Sequence, residues 1–384
     1  MLGFLVVLFV ILAATSFAYA AVSMAAVLRF RVLRRRTRPA AAWCPTTILK
    51  PLCGREFELE ENLASFCCQQ GGDYQVVFGV SDPADPAIAV VERLRERFPG
   101  RDIGLVVDPT VIGANHKVSN LANMMRAARH ELLVISDSDM RVGPDYLAQV
   151  IAPFADPAVG ATTCVYCGRP RRGWISRLGA MFINEWFLTS ALIPAVFGRL
   201  TFCFGATMAV RREALLAIGS FEGLANLLAD DYMLGNRIAS RGMKVALVPY
   251  LVENVVDEST LKGLFLHELR WARTIRSVRP VGYALMSIAE VLPMAFLAAG
   301  LLAAASASAL PAVGLAAGGV AVRLAQHAAV RSVLPATSRG QFWLIPLRDL
   351  LSLAVRVASF LGSKVLWREH AYVIHDGNRL KAAK

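Results

Sequence analysis

Ile135-Ser136-Asp137-Ser138-Asp139-Met140 closes an aliphatic run, Leu132-Leu133-Val134-Ile135, on two carboxylates spaced Asp-x-Asp. The run reads as a buried strand. Open α/β sheets place ligands beyond the carboxyl ends of their strands. Two acids at such an edge can hold a hard divalent cation, which prefers oxygen ligands and bridges to phosphates. The same letters also suit a plain strand-to-loop turn, because Asp and Ser are common turn formers. The rest of the chain decides between the two.

Working back from this motif, short strand patterns alternate with helical ones. Strands are expected at 46–49, 75–80, 103–107 and 132–135, and helices at 56–69, 86–98 and 115–128. Such alternation predicts βαβ units and an α/β fold with a mostly parallel sheet. Right-handed crossovers bring the strand ends to one edge. Lys50-Pro51 follows the first strand, Ser81-Asp82 the second and Asp137-x-Asp139 the fourth. Lys117 opens a helix, where backbone N–H groups and the helix dipole favour an anion. A metal site, a cation and a helix N-terminus together suit a diphosphate.

Working forward, 159–166 reads as another strand. The stretch 174–192, with Trp174, Met181, Phe182, Trp186 and Phe187, reads as a core stripe, with a lipid-lining groove as the alternative. Phe204-Gly205-Ala206-Thr207-Met208 reads as a strand entry, 211–218 as a helix and 245–248 as a strand. Asp230-Asp231 opens a helix that runs to Ser240; one acid can cap it while the other faces a cleft. The segment 261–279 is a strongly basic amphipathic helix containing His267, Arg270 and Trp271, and it suits a membrane surface. Arg270 and Trp271 equally suit the wall of a phosphate-bearing pocket.

The chain of 384 residues is 55% hydrophobic, and its mean hydropathy of +0.48 is high enough to imply membrane segments beside the α/β domain. Residues 2–28 are apolar throughout and long enough to span a bilayer. A signal peptide is disfavoured, because the basic residues follow the apolar stretch instead of preceding it. Arg29, Arg31, Arg34, Arg35, Arg36 and Arg38 match half of the net charge of +12. That run orients a membrane anchor and meets anionic lipid. No nucleic-acid-binding pattern accompanies it. Seven cysteines without regular spacing, Cys164 and Cys167 among them, read as free thiols in a reducing compartment. The expected organisation is an anchor at 1–28, an α/β domain at 45–255 and an interface helix at 256–280. A transmembrane hairpin at 281–335, an interfacial or re-entrant segment at 340–366 and a cytoplasmic tail at 367–384 complete it.

The pieces resemble a known family. Asp82, Asp137-x-Asp139, Asp231 and His267-x-x-Arg270-Trp271 match the ordered D, D, D, (Q/R)xxRW signature of membrane glycosyltransferases of GT-A fold. Ile48-Leu49-Lys50-Pro51-Leu52, Ser81-Asp82-Pro83-Ala84-Asp85 and Lys117-Val118-Ser119-Asn120-Leu121 resemble the ceramide glucosyltransferase family. The text from His267 to Thr274 looks most like that of its bacterial hopanoid members, although His267 stands where Gln or Arg is usual. The resemblance covers about residues 45–280. It implies a UDP-sugar donor, a Mg²⁺ or Mn²⁺ cofactor, a lipid acceptor (a hopanoid or ceramide-like alcohol) and inverting transfer. By motif, Asp231 is the catalytic base, and Asp82 contacts the uridine. Asp137 and Asp139 sit by the ribose and metal, with Asp139 favoured as ligand. Lys50 and Lys117 serve the donor, and His267, Arg270 and Trp271 close over it. The implied setting is the bacterial inner membrane, multi-pass, with the catalytic domain cytoplasmic. The rivals are a processive polysaccharide synthase and a nucleotide-sugar-binding scaffold.

Overall fold

A computed structural model of the protein describes residues 1–36, 43–367, 370–375 and 378–382. The expected tail at 367–384 falls partly outside these. The chain forms two compact units.

The first unit comprises Leu33–Cys167, Arg199–Val255 and Tyr372–Lys384. Its sheet has eight strands: β1 (Thr46–Pro51), β2 (Tyr74–Val80), β3 (Asp102–Val107), β4 (Leu132–Ile135), β5 (Met140–Arg141), β6 (Val159–Pro170), β7 (Met208–Arg211) and β8 (Lys244–Val256). Their order is β3-β2-β1-β4-β7-β6-β8-β5. The first four pair in parallel, and β4–β7, β6–β7 and β5–β8 are antiparallel. The sheet is therefore mixed. Its parallel half is the part where strands and helices alternate strictly in sequence. β1 is central, with Leu49 opposite Ile135 on one side and Val77 on the other. Every residue of β1, β2 and β4 is buried, as expected of strands covered on both faces. This register brings Lys50, Asp82 and the Asp137–Asp139 turn to one edge.

The elements expected up to Ile135 are present within a few residues. The two-residue β5 has no periodicity to announce it, and exists because Met140 pairs with Asn254 across 114 positions. β8 runs eight residues beyond its expected end for the same reason. Beneath the sheet, Tyr146 packs edge-on against Phe66 and Tyr250, with centroids 5.6 and 5.4 Å apart, and its hydroxyl meets Thr207 Oγ1 at 2.9 Å. Gly79 in β2 lets the His116–Met124 helix approach closely. A Cβ there would lie 2.3 Å from Asn120 Oδ1 and 2.4 Å from Met124 Sδ. Asn120 in turn donates to the Gly79 carbonyl at 2.8 Å. Gly79→Ala should cost about 1–3 kcal/mol through overpacking, measured as a shifted denaturation midpoint with an unchanged slope.

The second unit comprises Met1–Val32, Gly168–Gly198 and Val256–Ala371 and is largely helical. Among the described residues, three helices are long and apolar enough to cross a membrane: Leu2–Arg36, Trp174–Phe197 and Leu310–Arg331. A fourth crossing is possible if Pro280–Ala289 and Val291–Ala305, bent by 69°, count as one. The bend falls at Glu290, and Pro293 just beyond lacks the N–H that would bond back to Ala289. The stretch expected as a core stripe is the Trp174–Phe197 helix, with 67% of its apolar window buried. The charges of the 340–366 segment lie on the Ile345–Phe360 helix, where Arg348, Asp349 and Arg356 are buried in ion pairs. Small apolar clusters hold the unit, one built on Leu178, Met181, Leu264 and Ile345, another on Leu269, Tyr283 and Val355.

Candidate active site

After β4 the Ser136 N–H still bonds the Leu49 carbonyl of β1 at 3.3 Å. The chain then turns, the Met140 N–H reaching the Asp137 carbonyl at 3.3 Å, and enters β5. Asp137 and Asp139 stand on this turn. Lys50, fully buried near the end of β1, donates to the Asp137 carbonyl and to Ser136 Oγ, and lies 3.8 Å from the Phe66 ring centroid. The Lys50 side chain thus braces the acidic turn from below. Burial pushes its ammonium down to about 7, against the pull of Asp137 and Asp139.

The His116–Met124 helix is capped by Asn115, whose side chain accepts from the Val118 N–H at 3.1 Å. Its amide also donates to the Leu227 carbonyl at 2.7 Å, which fixes the approach to the Asp230–Ser240 helix. Lys117 in its first turn lies 2.6 Å from Asp137 Oδ1 and 3.4 Å from Asp230 Oδ2. Burial alone would lower its pKa, but Asp137 and Asp230 hold it above the ordinary lysine value. One cation therefore ties the acid turn after β4 to the start of the Asp230–Ser240 helix.

Asp231 lies beside Asp230 and accepts from the Tyr232 N–H at 2.7 Å. Gly205 marks where Asp231 and Asp137 meet. A Cβ on it would lie 3.2 Å from Asp137 Oδ2 and 3.3 Å from Asp231 Oδ2. Loss of water around Asp231 and the charge of Asp230 push its carboxyl up to about 6. Burial, Glu56 and Asp137 likewise push Asp139 up to about 7. Asp139 Oδ2 accepts from Asn254 Nδ2 at 2.7 Å, while its Oδ1 is buried without a hydrogen-bond partner. An enclosed carboxylate oxygen with nothing to bind suits a hard cation. Among the described residues no group of three or more His, Cys, Asp or Glu could cage an ion by itself. That fits Mg²⁺ or Mn²⁺ all the same, which take one or two carboxylates and complete their shell with water and substrate phosphate.

Lys50, Lys117, Asp137, Asp139 and Asp231 are thus brought together. Asp82 stands exposed at the end of β2, its Oδ1 accepting from the Ala84 N–H at 2.8 Å. His267, Arg270 and Trp271 belong to the second unit, on the Leu261–Val278 helix that Thr260 caps. There His267 Nδ1 bonds the Glu258 carboxylate and its ring meets Trp271 edge-on, centroids 4.7 Å apart. Trp271 also packs against Phe182 at 5.9 Å. Burial raises the Glu258 pKa, but the bond from His267 outweighs it and keeps the carboxyl below its ordinary value. The nearby Glu56, Asn254 and Gly205 carried no motif. Glu56 follows the first strand, so the strand-end rule alone points to it. Asn254 becomes visible only through the β5–β8 register.

The profile described as "Glycosyl transferase family 21" matches residues 8–380. Ceramide glucosyltransferase 1 of Caenorhabditis elegans is 25% identical over 250 residues, covering 65% of this chain and 53% of that protein. An N-acetylglucosaminyltransferase of Rhizobium leguminosarum bv. viciae is 24% identical over 226 residues, covering 56% and 52%. The chain thus spans about half the length of these curated relatives. Among solved structures, a mannosyltransferase of Pyrobaculum calidifontis in complex with GDP-Man and Mn²⁺ superposes with a TM-score of 0.52 at 23% identity. That match covers 91% of this chain and 99% of the other. The likeness is one of fold, and it bears out the GT-A architecture.

Proposed function

The chain belongs to glycosyl transferase family 21, and from that premise we propose that it moves one sugar from a UDP-sugar to the hydroxyl of a membrane lipid, with inversion. The observation that carries this reading is the meeting of Asp231 with Asp137 at Gly205, beside the cation of Lys117. A lipid hydroxyl is a poor nucleophile, so a carboxylate must take its proton as the new bond forms. We assign that role to Asp231, whose raised pKa would make it a stronger base than an ordinary aspartate. Direct displacement by the acceptor requires no enzyme nucleophile.

The leaving UDP gains charge. Lys117 would set positive charge at the strand edge where the diphosphate would lie, and Lys50 would serve the donor by bracing the acidic turn from below. A bound Mg²⁺ or Mn²⁺ would be held by Asp139 with Asp137 and would neutralise part of that charge. Asp82, exposed at the next strand end, would contact the uridine. By motif, Arg270 would serve the donor as a cation and Trp271 as a flat wall. Glu258 holds His267 in place of the usual Gln or Arg.

The first-choice reaction is transfer of N-acetylglucosamine from UDP-GlcNAc to bacteriohopanetetrol, in a bacterial inner membrane with the catalytic unit cytoplasmic. The likeness to N-acetylglucosaminyltransferases favours the sugar. A ceramide acceptor with UDP-glucose is the second reading, favoured by the nematode relatives. Membranes containing the enzyme, offered each donor with each acceptor, decide by mass spectrometry of the lipid products. A hopanoid carrying one N-acetylhexosamine supports the first reading; a ceramide hexoside alone rejects it.

The pH profile follows from the base. Asp231 must be ionised to accept a proton, and protonation near pH 6 removes that capacity. Turnover should therefore fall tenfold per unit as the pH drops below about 6 and level off above it. Initial rates between pH 4.5 and 8 at saturating donor check this. A profile flat to pH 4.5 counts against Asp231 as the base.

A further inference from the structure

We propose that Asn378 is a positioning residue for Asp231, fastening the loop that delivers it to the site. The loop is 225–229, and the Asp230–Ser240 helix starts directly after it. Leu227, Leu228 and Ala229 are buried, so their backbone groups need partners within the protein. One side of the loop meets the start of the helix that carries Lys117. There the Asn115 N–H donates to the Ala225 carbonyl at 2.8 Å, and the Ala114 N–H to Asn226 Oδ1 at 3.0 Å. The other partners come from far along the chain. The Leu228 N–H donates to the Asn378 carbonyl at 3.0 Å, and the Ala229 N–H to Asn378 Oδ1 at 3.1 Å, across 149 positions. The Leu380 N–H returns a bond to the Asn226 carbonyl at 2.9 Å, and Leu227 and Arg379 form an antiparallel bridge.

The helix that carries Asp231 starts weakly on its own. Ala229 is its N-cap residue, and alanine is among the poorest residues there, with no side-chain oxygen to bond the first turn. Asn378 holds that N-cap residue from outside, immediately before Asp230 and Asp231. The residue type suits the place. Asn378 has φ +78°, a left-handed conformation that asparagine tolerates better than most side chains. It stands just before the Arg379–Ala382 strand, which pairs with His370–His375, His375 opposite Arg379. Asn378 is 1% exposed, so water does not compete for its bonds to the loop. The segment expected as a basic tail therefore closes over the loop of the base. Placement of that loop matters, because a displacement of about 1 Å at a reacting group can cost about 10²-fold.

This inference rests on the reading of Asp231 as the base. Asn378→Gly keeps the left-handed backbone and its carbonyl and removes only the side-chain acceptor; Asn378→Asp restores an acceptor oxygen. The full chains are purified in detergent and checked for an unchanged melting temperature. Hydrogen exchange, read by mass spectrometry on peptides spanning 225–232, should run about fivefold faster in Asn378→Gly and return to normal in Asn378→Asp. In the same preparations kcat should fall about tenfold in Asn378→Gly, with donor KM within about twofold, and recover in Asn378→Asp. In an Asp231→Asn background Asn378→Gly should cost less than about twofold, because a base that is absent cannot be misplaced. Equal losses in both backgrounds, unchanged exchange, or an unmoved kcat beside an inactive Asp231→Asn overturns the proposal. Near-normal turnover in Asp231→Asn alone defeats the base reading itself, and this inference with it.

Discussion

Asp231→Asn should lower sugar transfer by about 10²–10⁴-fold, the usual contribution of a general base, while donor binding changes by no more than about twofold. The side chains are nearly isosteric, and the Tyr232 N–H can still bond the remaining carbonyl oxygen. What is lost is the capacity to take a proton. Asp230 stays paired with Lys117 and Asn115, so the helix start keeps its structure. The acid limb of the pH profile should disappear with the activity. Calorimetric binding of UDP beside initial-rate measurements separates the two effects. Near-normal turnover in a folded variant would instead assign the proton to another base.

Asp139→Asn should have the second-largest effect, a loss of about 10²–10³-fold in turnover, with a weaker response to Mn²⁺. The substituted amide can keep the Asn254 contact through its carbonyl oxygen, so folding should survive. The enclosed Oδ1 position, which has no protein partner, is where charge is removed. Titrating activity with Mn²⁺ should shift the half-activating concentration upward by about tenfold or more. Superimposable Mn²⁺ titrations would move the ligand role to another acid. Asp137→Asn is a poorer probe, because it also strips Lys117 of its nearest partner.

The fold was most legible where local pattern and tertiary environment agree. The strands up to Ile135 fell where expected, and β1, β2 and β4 are aliphatic-rich runs because both faces are covered. The antiparallel half was less visible. Met140–Arg141 is too short to show a period, and its pairing with Glu253 and Asn254 is purely long-range. The same reason hid Asn254, the donor that orients Asp139. Asp137, Asp139 and Lys117 were legible because each follows a strand or opens a helix. Gly205, by contrast, has meaning only through the two carboxylates its missing side chain admits. In the second unit, apolar length announced the helices, but not the bend at Glu290 or the π-helical turn at Phe182. Arg348, Asp349 and Arg356 stand in the segment expected to be interfacial or re-entrant. Their partners Glu268, Arg323 and Glu290 lie 26 to 80 positions away, beyond the reach of local pattern.

The most direct measurement is the mass spectrum of the lipid fraction after wild-type and Asp231→Asn membranes are incubated with UDP-GlcNAc, Mn²⁺ and bacteriohopanetetrol. A single lipid species heavier by one sugar in the wild type, and its loss in the variant, is the predicted result. An unmodified lipid pool in the wild type, or a ladder of successive sugars, would contradict it.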